Sequence, residues 1–135
     1  MFSAAPFAHR FRLLALLRAG LVAGALYDLG FALLMVAAPQ LPARLLALPL
    51  PQPGFYLSLL AVLLAMVGTL YLLAAWDPRR YSGIVAVAIC GRLLGALAFV
   101  SAAQGNPDLS GLYLLAAVDF AFAVAHAACW LPIRS

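Results

Sequence analysis

Three ionisable side chains carry the chemistry this sequence can offer: Asp28, Arg92 and Asp119. Each lies near the centre of a separate long apolar run, where a charge costs about 2.5–3.5 kcal/mol on insertion-type scales. Charges held at one depth against that cost are expected to meet, because a paired charge escapes much of the penalty. Arginine presents a planar fork that engages two carboxylates at once, so Asp28–Arg92–Asp119 reads as a triad. Two carboxylates and one guanidinium sum to minus one, a charge to be balanced by a proton on one carboxyl or by a bound cation. A carboxyl that exchanges a proton inside a membrane can serve a proton relay, a cation-binding transporter or an acid–base enzyme. The same triad can equally do no more than fix the register of three helices.

Further polar residues stand near the triad in the sequence. His126 follows Asp119 by seven residues, hence on the same helix face and about 10 Å further along. That spacing suits a proton path from the triad to one membrane surface, or a histidine that bonds a backbone carbonyl. Tyr27 adjoins Asp28 but points about 100° around the helix, toward lipid or another helix. Thr69 and Tyr71 are polar side chains in an otherwise apolar run, placed for ordinary interhelical or backbone bonds, or for a ligand. No metal or haem site is expected: His126 and Cys129 are spaced as a ligand pair but have no credible partners, and His9 belongs to the arginine-rich beginning. Cys90 and Cys129 differ in depth by more than a disulfide can reach and read as apolar packers. There is no phosphate loop, dinucleotide fingerprint, nucleophile elbow or zincin motif. Catalytic role and cofactor stay undefined.

The elements that must position these residues follow from composition. Of 135 residues, 67% are hydrophobic and 9% charged, against about half and a quarter in soluble domains. The length suits one domain over 1–135. Neither lysine nor glutamate occurs, and the eight basic residues are all arginine. The basic pI near 9.6 does not indicate nucleic acid, because the arginines flank apolar runs instead of clustering on one face.

Four runs are long enough to cross a hydrocarbon layer, about 19–38, 55–76, 81–103 and 109–131, and the first could continue a helix that starts near Leu13. Continuous apolar runs exclude barrel alternation, so the expected fold is an all-α, four-helix integral membrane bundle. Arg10, Arg12, Arg18, Arg79, Arg80 and Arg134 fall on one side and only Arg44 on the other, which places both termini in the cytoplasm. The first run is read as a retained helix and not a cleaved signal, being longer than a signal core and containing Asp28. Gly20 and Gly24 precede Asp28 at four-residue steps and let a neighbour approach on that face. The segment 39–54, with prolines at 39, 42, 49, 51 and 53, reads chiefly as a stiff external connector, with a lid over the outer mouth as the sharper reading. Its ARLLAL stretch could form one or two surface turns of helix. Asp77 is placed to cap the third helix. Gly20-Leu21, Asp28, Phe31-Ala32 recur as Gly111-Leu112, Asp119, Phe122-Ala123, a faint internal repeat.

The YDLG at 27–30, the LALPLPQPGFY at 46–56 and the CGRLLG at 90–95, in this architecture, resemble the DoxX-like class of small four-helix bacterial membrane proteins. That resemblance implies an accessory subunit of a membrane redox assembly. Small multidrug-resistance transporters also have four helices and a membrane carboxylate, but they usually carry a glutamate in the first helix and lack this loop. The expectation is a multi-pass inner-membrane protein. Its function would be that of an accessory subunit, or of a lipid- or quinone-binding component built around the triad. The alternative is a small proton-coupled transporter or intramembrane enzyme. Expected partners are the lipid bilayer, a membrane protein or a second copy, and a lipid or quinone ligand. A pocket that reaches the triad from one side would favour binding or catalysis; a closed triad would favour a structural part.

Overall fold

Long apolar runs leave the backbone one economical way to satisfy its own polar groups, and the chain takes it. The computed structural model describes residues 5–134. It comprises α1 (Ala5–Ala37), a short α2 (Gln40–Leu45), α3 (Phe55–Trp76), α4 (Ser82–Gly105), a 3-10 turn (Pro107–Leu109) and α5 (Leu112–Arg134). Among the described residues, α1, α3, α4 and α5 are long and apolar enough to cross a membrane. The 22, 24 and 23 residues of α3, α4 and α5 extend about 33–36 Å at about 1.5 Å each, close to a hydrocarbon thickness of about 30 Å.

The first helix starts well before residue 19. Its 33 residues run about 50 Å, longer than hydropathy indicates. Arginine ends a hydropathy window but not a helix: Arg, Leu and Ala are all strong helix formers, and no breaker intervenes. Arg18 is more than a topology signal. Its Nη2 donates to the Trp76 carbonyl at 3.2 Å, placing a cation at the negative end of α3.

α3 faces inward mostly with small residues and outward with large ones. In α3, Ala61, Gly68, Ala74 and Ala75 are buried beside Tyr71, while Val62, Leu63, Met66 and Leu70 are exposed. A helix in water does the reverse; one in lipid gains nothing by hiding leucine and packs by close approach of small side chains. A Cβ on Gly68 would come within 2.8 Å of Leu29 Cγ and 3.1 Å of the Ala25 carbonyl, so glycine sets the α1–α3 spacing.

The bundle is two hairpins side by side. α1 lies along α3, α4 along α5, and α1 meets α5 across the middle; α3 and α4, though consecutive in the chain, scarcely touch. Leu17, Leu21, Ala74, Ala75, Val85 and Trp130 pack together at the end where both described termini lie. Asp77 caps the α3–α4 turn, not the helix itself: its Oδ1 accepts from the backbone N–H of Arg79 and Arg80, and α4 begins only at Ser82. At the opposite end, Asn106 Oδ1 accepts from Asp108 N–H at 3.0 Å, closing the α4–α5 turn.

Candidate functional site

The three charges meet. Arg92 Nη2 donates to Asp28 Oδ2 at 2.7 Å, and Nη1 donates to Asp119 Oδ1 at 2.5 Å. Asp28, Arg92 and Asp119 are 1%, 6% and 8% exposed, so the ion pairs tie α1, α4 and α5 together out of contact with solvent. Nη2 also reaches toward the Gly24 carbonyl at 3.4 Å. Small residues make the meeting fit. A Cβ on Gly24 would lie 3.6 Å from Arg92 Nη2, and one on Gly95 would lie 2.9 Å from Asp119 Oδ2. Gly95 therefore seats a carboxylate inside the bundle, whereas Gly91 faces open space.

Aromatic rings surround the guanidinium. Its central carbon lies 5.3 Å from the Tyr27 ring, 5.4 Å from Tyr71 and 5.1 Å from Phe122. These distances allow cation–π attraction, which strengthens as water is removed. Tyr27 is thus part of the cluster: the long Arg92 side chain reaches it despite its turn away from Asp28, and its ring also contacts Phe122 at 5.9 Å. Tyr71 brings α3, which lacks a buried charge of its own, into the site.

His126 is 1% exposed and stands edge-on to Tyr71 at 6.4 Å, with Phe122 at 5.8 Å. Its imidazole packs against Gly20, where a Cβ would come within 3.1 Å of Cδ2. The Gly20 backbone acts on the ring electrostatically, but neither nitrogen has a partner of full hydrogen-bond geometry. His126 reaches the triad through the Phe122 and Tyr71 rings. No hydrogen bond links it to either carboxylate among the described residues. Thr69 lies apart: its exposed hydroxyl donates to the Ala65 carbonyl at 2.8 Å, the backbone bond common for threonine in apolar helices. Both cysteines are free thiols. Cys90 is exposed on the bundle surface and not packed inside, because two positions from the buried Arg92 is about 200° around α4; Cys129 is half-buried.

The triad forms the floor of a chamber. A cavity of about 320 Å³ runs from Asp28, Arg92 and Asp119 toward the proline-rich end, walled by Phe31, Met35, Leu57, Leu64, Phe99 and Leu115. Its roof is the 39–51 segment, from which Pro42, Leu46, Leu48 and Leu50 line the space. The segment is therefore not simply a connector. α2 forms its first turn with Arg44 exposed. The loop rests on Gly111, where a Cβ would overlap the Leu46 carbonyl oxygen. A second cavity, about 240 Å³, enters between α3 and α4 past Val67, Leu70, Val87 and Gly91 and ends on the same three charged residues. It exists because those helices scarcely touch.

Two buried polar atoms of the floor have no hydrogen-bond partner among the described residues: the acceptor Asp28 Oδ1 and the donor Arg92 Nε. Buried polar atoms are seldom left unpaired, and exceptions concentrate at sites of function. The chamber walls carried a signal in the sequence. Phe31 and Met35 lie three and seven residues after Asp28, Phe99 lies seven after Arg92, and Leu112 and Leu115 lie seven and four before Asp119. These spacings put them on the charged faces, in the half of each helix toward the proline-rich end.

No family model, no curated protein and no solved structure matches this chain.

Proposed function

We propose that this chain is a multi-pass inner-membrane protein that binds a lipid- or quinone-like amphiphile in the roofed chamber, as a component of a membrane assembly. The observation that carries the reading is the chamber itself: apolar walls and roof, closed below by an ion triad with an unpartnered donor and an unpartnered acceptor. Ligand sites combine apolar walls with a few convergent polar groups in this way. A triad serving only as helix glue would gain stability from close packing around it and would have no use for a cavity at its side. On the arginine distribution both termini face the cytoplasm, and the roof faces outward. If the DoxX-like resemblance reflects kinship, the assembly is a redox one.

Native mass spectrometry of the protein from gently solubilised host membranes tests this. The expected result is a stoichiometric small molecule, lost in Asp28→Asn or Asp119→Asn, together with protein partners at fixed ratio. A bare chain with neither would overturn the reading.

The second cavity supports another use of the same floor. One cavity reaches the carboxylates from the proline-rich end and the other laterally between α3 and α4, and a proton-coupled transporter needs its carboxylates reachable by more than one route. In proteoliposomes that reading requires proton flux that depends on Asp28 and Asp119.

A further inference from the structure

The chamber floor also selects among head groups. Resting on the proposed binding function, we infer that the ligand is a single-chain amphiphile with a neutral hydroxyl head, an alcohol or phenol type of group, and not an anionic or cationic one. The argument starts from what the floor leaves unsatisfied. Arg92 commits Nη1 to Asp119 and Nη2 to Asp28, so its charge is already answered. What remain are one donor, Nε, and one acceptor, Asp28 Oδ1, both on side chains more than nine-tenths buried and both on residues lining the chamber.

A hydroxyl can donate and accept at once and so can serve both atoms. A carboxylate or phosphate could accept from Nε but would bring negative charge against two carboxylates. An ammonium could donate to Oδ1, and the net negative charge of the triad would draw it in, but it has no acceptor to offer Nε, which would stay unpaired.

Size narrows the class further. About 320 Å³ is at the small end of ligand sites, which run about 300–1,000 Å³. One hydrocarbon chain fits inside along Phe31, Met35 and Leu115, and two do not.

The test compares head groups on one chain length with the unaltered protein in phospholipid nanodiscs. The probes are 1-dodecanol, dodecyl phosphate and dodecyltrimethylammonium, with binding read by native mass spectrometry. Dodecanol should bind at one per chain and at least about tenfold more tightly than either charged probe, about the weight of one well-formed hydrogen bond. Monododecanoylglycerol and 4-octylphenol then separate a glycerol-type source of the hydroxyl from a phenolic one, and dodecanol-like binding by either supports the inference. Leu115→Trp fills the chamber without touching the triad. It should abolish dodecanol binding while leaving helix content unchanged.

Equal or tighter binding of a charged probe would overturn the hydroxyl inference and leave the binding function standing. Dodecanol binding undiminished by Leu115→Trp would overturn it as well, by placing the site elsewhere. Binding of none of the probes would overturn the hydroxyl inference, and the native ligand recovered from host membranes would then decide the binding function separately.

Discussion

The two halves of the bundle are built from the same helices and the same residue types, yet one is solid and the other hollow. Toward the termini, Leu17, Leu21, Val85 and Trp130 close around the alanines of α3. Toward the proline-rich loop the helices splay around a cavity of about 320 Å³ and need a separate segment to roof it. The Asp28–Arg92–Asp119 triad lies on the boundary. In lipid the gain from packing comes from van der Waals contact and close approach, not from removing apolar surface from water. A hollow half forfeits that contact. The difference between the halves therefore points to use: one half holds the helices together, and the other keeps a space open.

Breaking the boundary should have the largest effect. Arg92→Leu leaves Asp28 and Asp119 buried without a counter-charge, and removal of one partner of a buried ion pair costs about 3–5 kcal/mol. Unfolding by denaturant titration in mixed micelles should show that loss. Replacing all three charges with leucine removes the uncompensated charge and should recover much of the stability, because apolar replacement of a buried triad is often neutral or better. If the recovered protein also keeps its bound small molecule, the floor plays no part in binding.

Next in size is a matched truncation in each half. Leu21→Ala opens a hole in the solid half and should cost about 2–5 kcal/mol, as large-to-small core changes do. Met35→Ala borders a space already open and should cost less than about 1 kcal/mol. Equal losses in the same titration would mean that the chamber is not a persistent cavity.

The sequence makes the helices and the charges legible but not the hollow. Hydrophobic length alone marks four helices, and coincident depth alone brings Asp28, Arg92 and Asp119 together. The start of α1 at Ala5 is only partly legible, because Arg10, Arg12 and Arg18 end the apolar run while the helix continues through them. Tyr27 is hard to place because a 100° turn describes its own Cβ, whereas the contact depends on how far the Arg92 side chain reaches. The roof is least legible. Five prolines in 39–54 mark a stiff loop but do not say whether it lies beside the bundle or across it. That depends on Gly111, whose missing side chain leaves room for the Leu46 carbonyl, and no local pattern links two positions so far apart.

The roof itself can be lifted. Gly111→Ala forces the backbone at Leu46 to move and should cost about 1–3 kcal/mol, the usual range for an overpacked contact. The effect should stay in the hollow half, with faster amide exchange over residues 46–50 and unchanged exchange around Leu21 and Val85. Gly105→Ala is the control, since a Cβ there meets nothing within 4 Å. Faster exchange at both ends would mean that roof and core form one cooperative unit.

The smallest change sharpens the comparison from the other direction. Ala47 follows α2 with φ of 49°, a left-handed conformation that costs a residue with a Cβ about 1–2 kcal/mol and glycine almost nothing. The turn is held there by the Leu48 N–H donating to the Ala43 carbonyl at 2.9 Å, so the chain accepts the strain to bring Leu46 and Leu48 over the chamber. Ala47→Gly should stabilise the roof by about 1 kcal/mol or less, because glycine gives back part of the gain through its freer unfolded state. Amide exchange at Leu48 should slow accordingly, and the truncation penalty of Leu21→Ala should not change. A roof loosened by this substitution would show that Ala47 leaves the left-handed region in the working protein, and that the segment takes up a second arrangement away from the chamber.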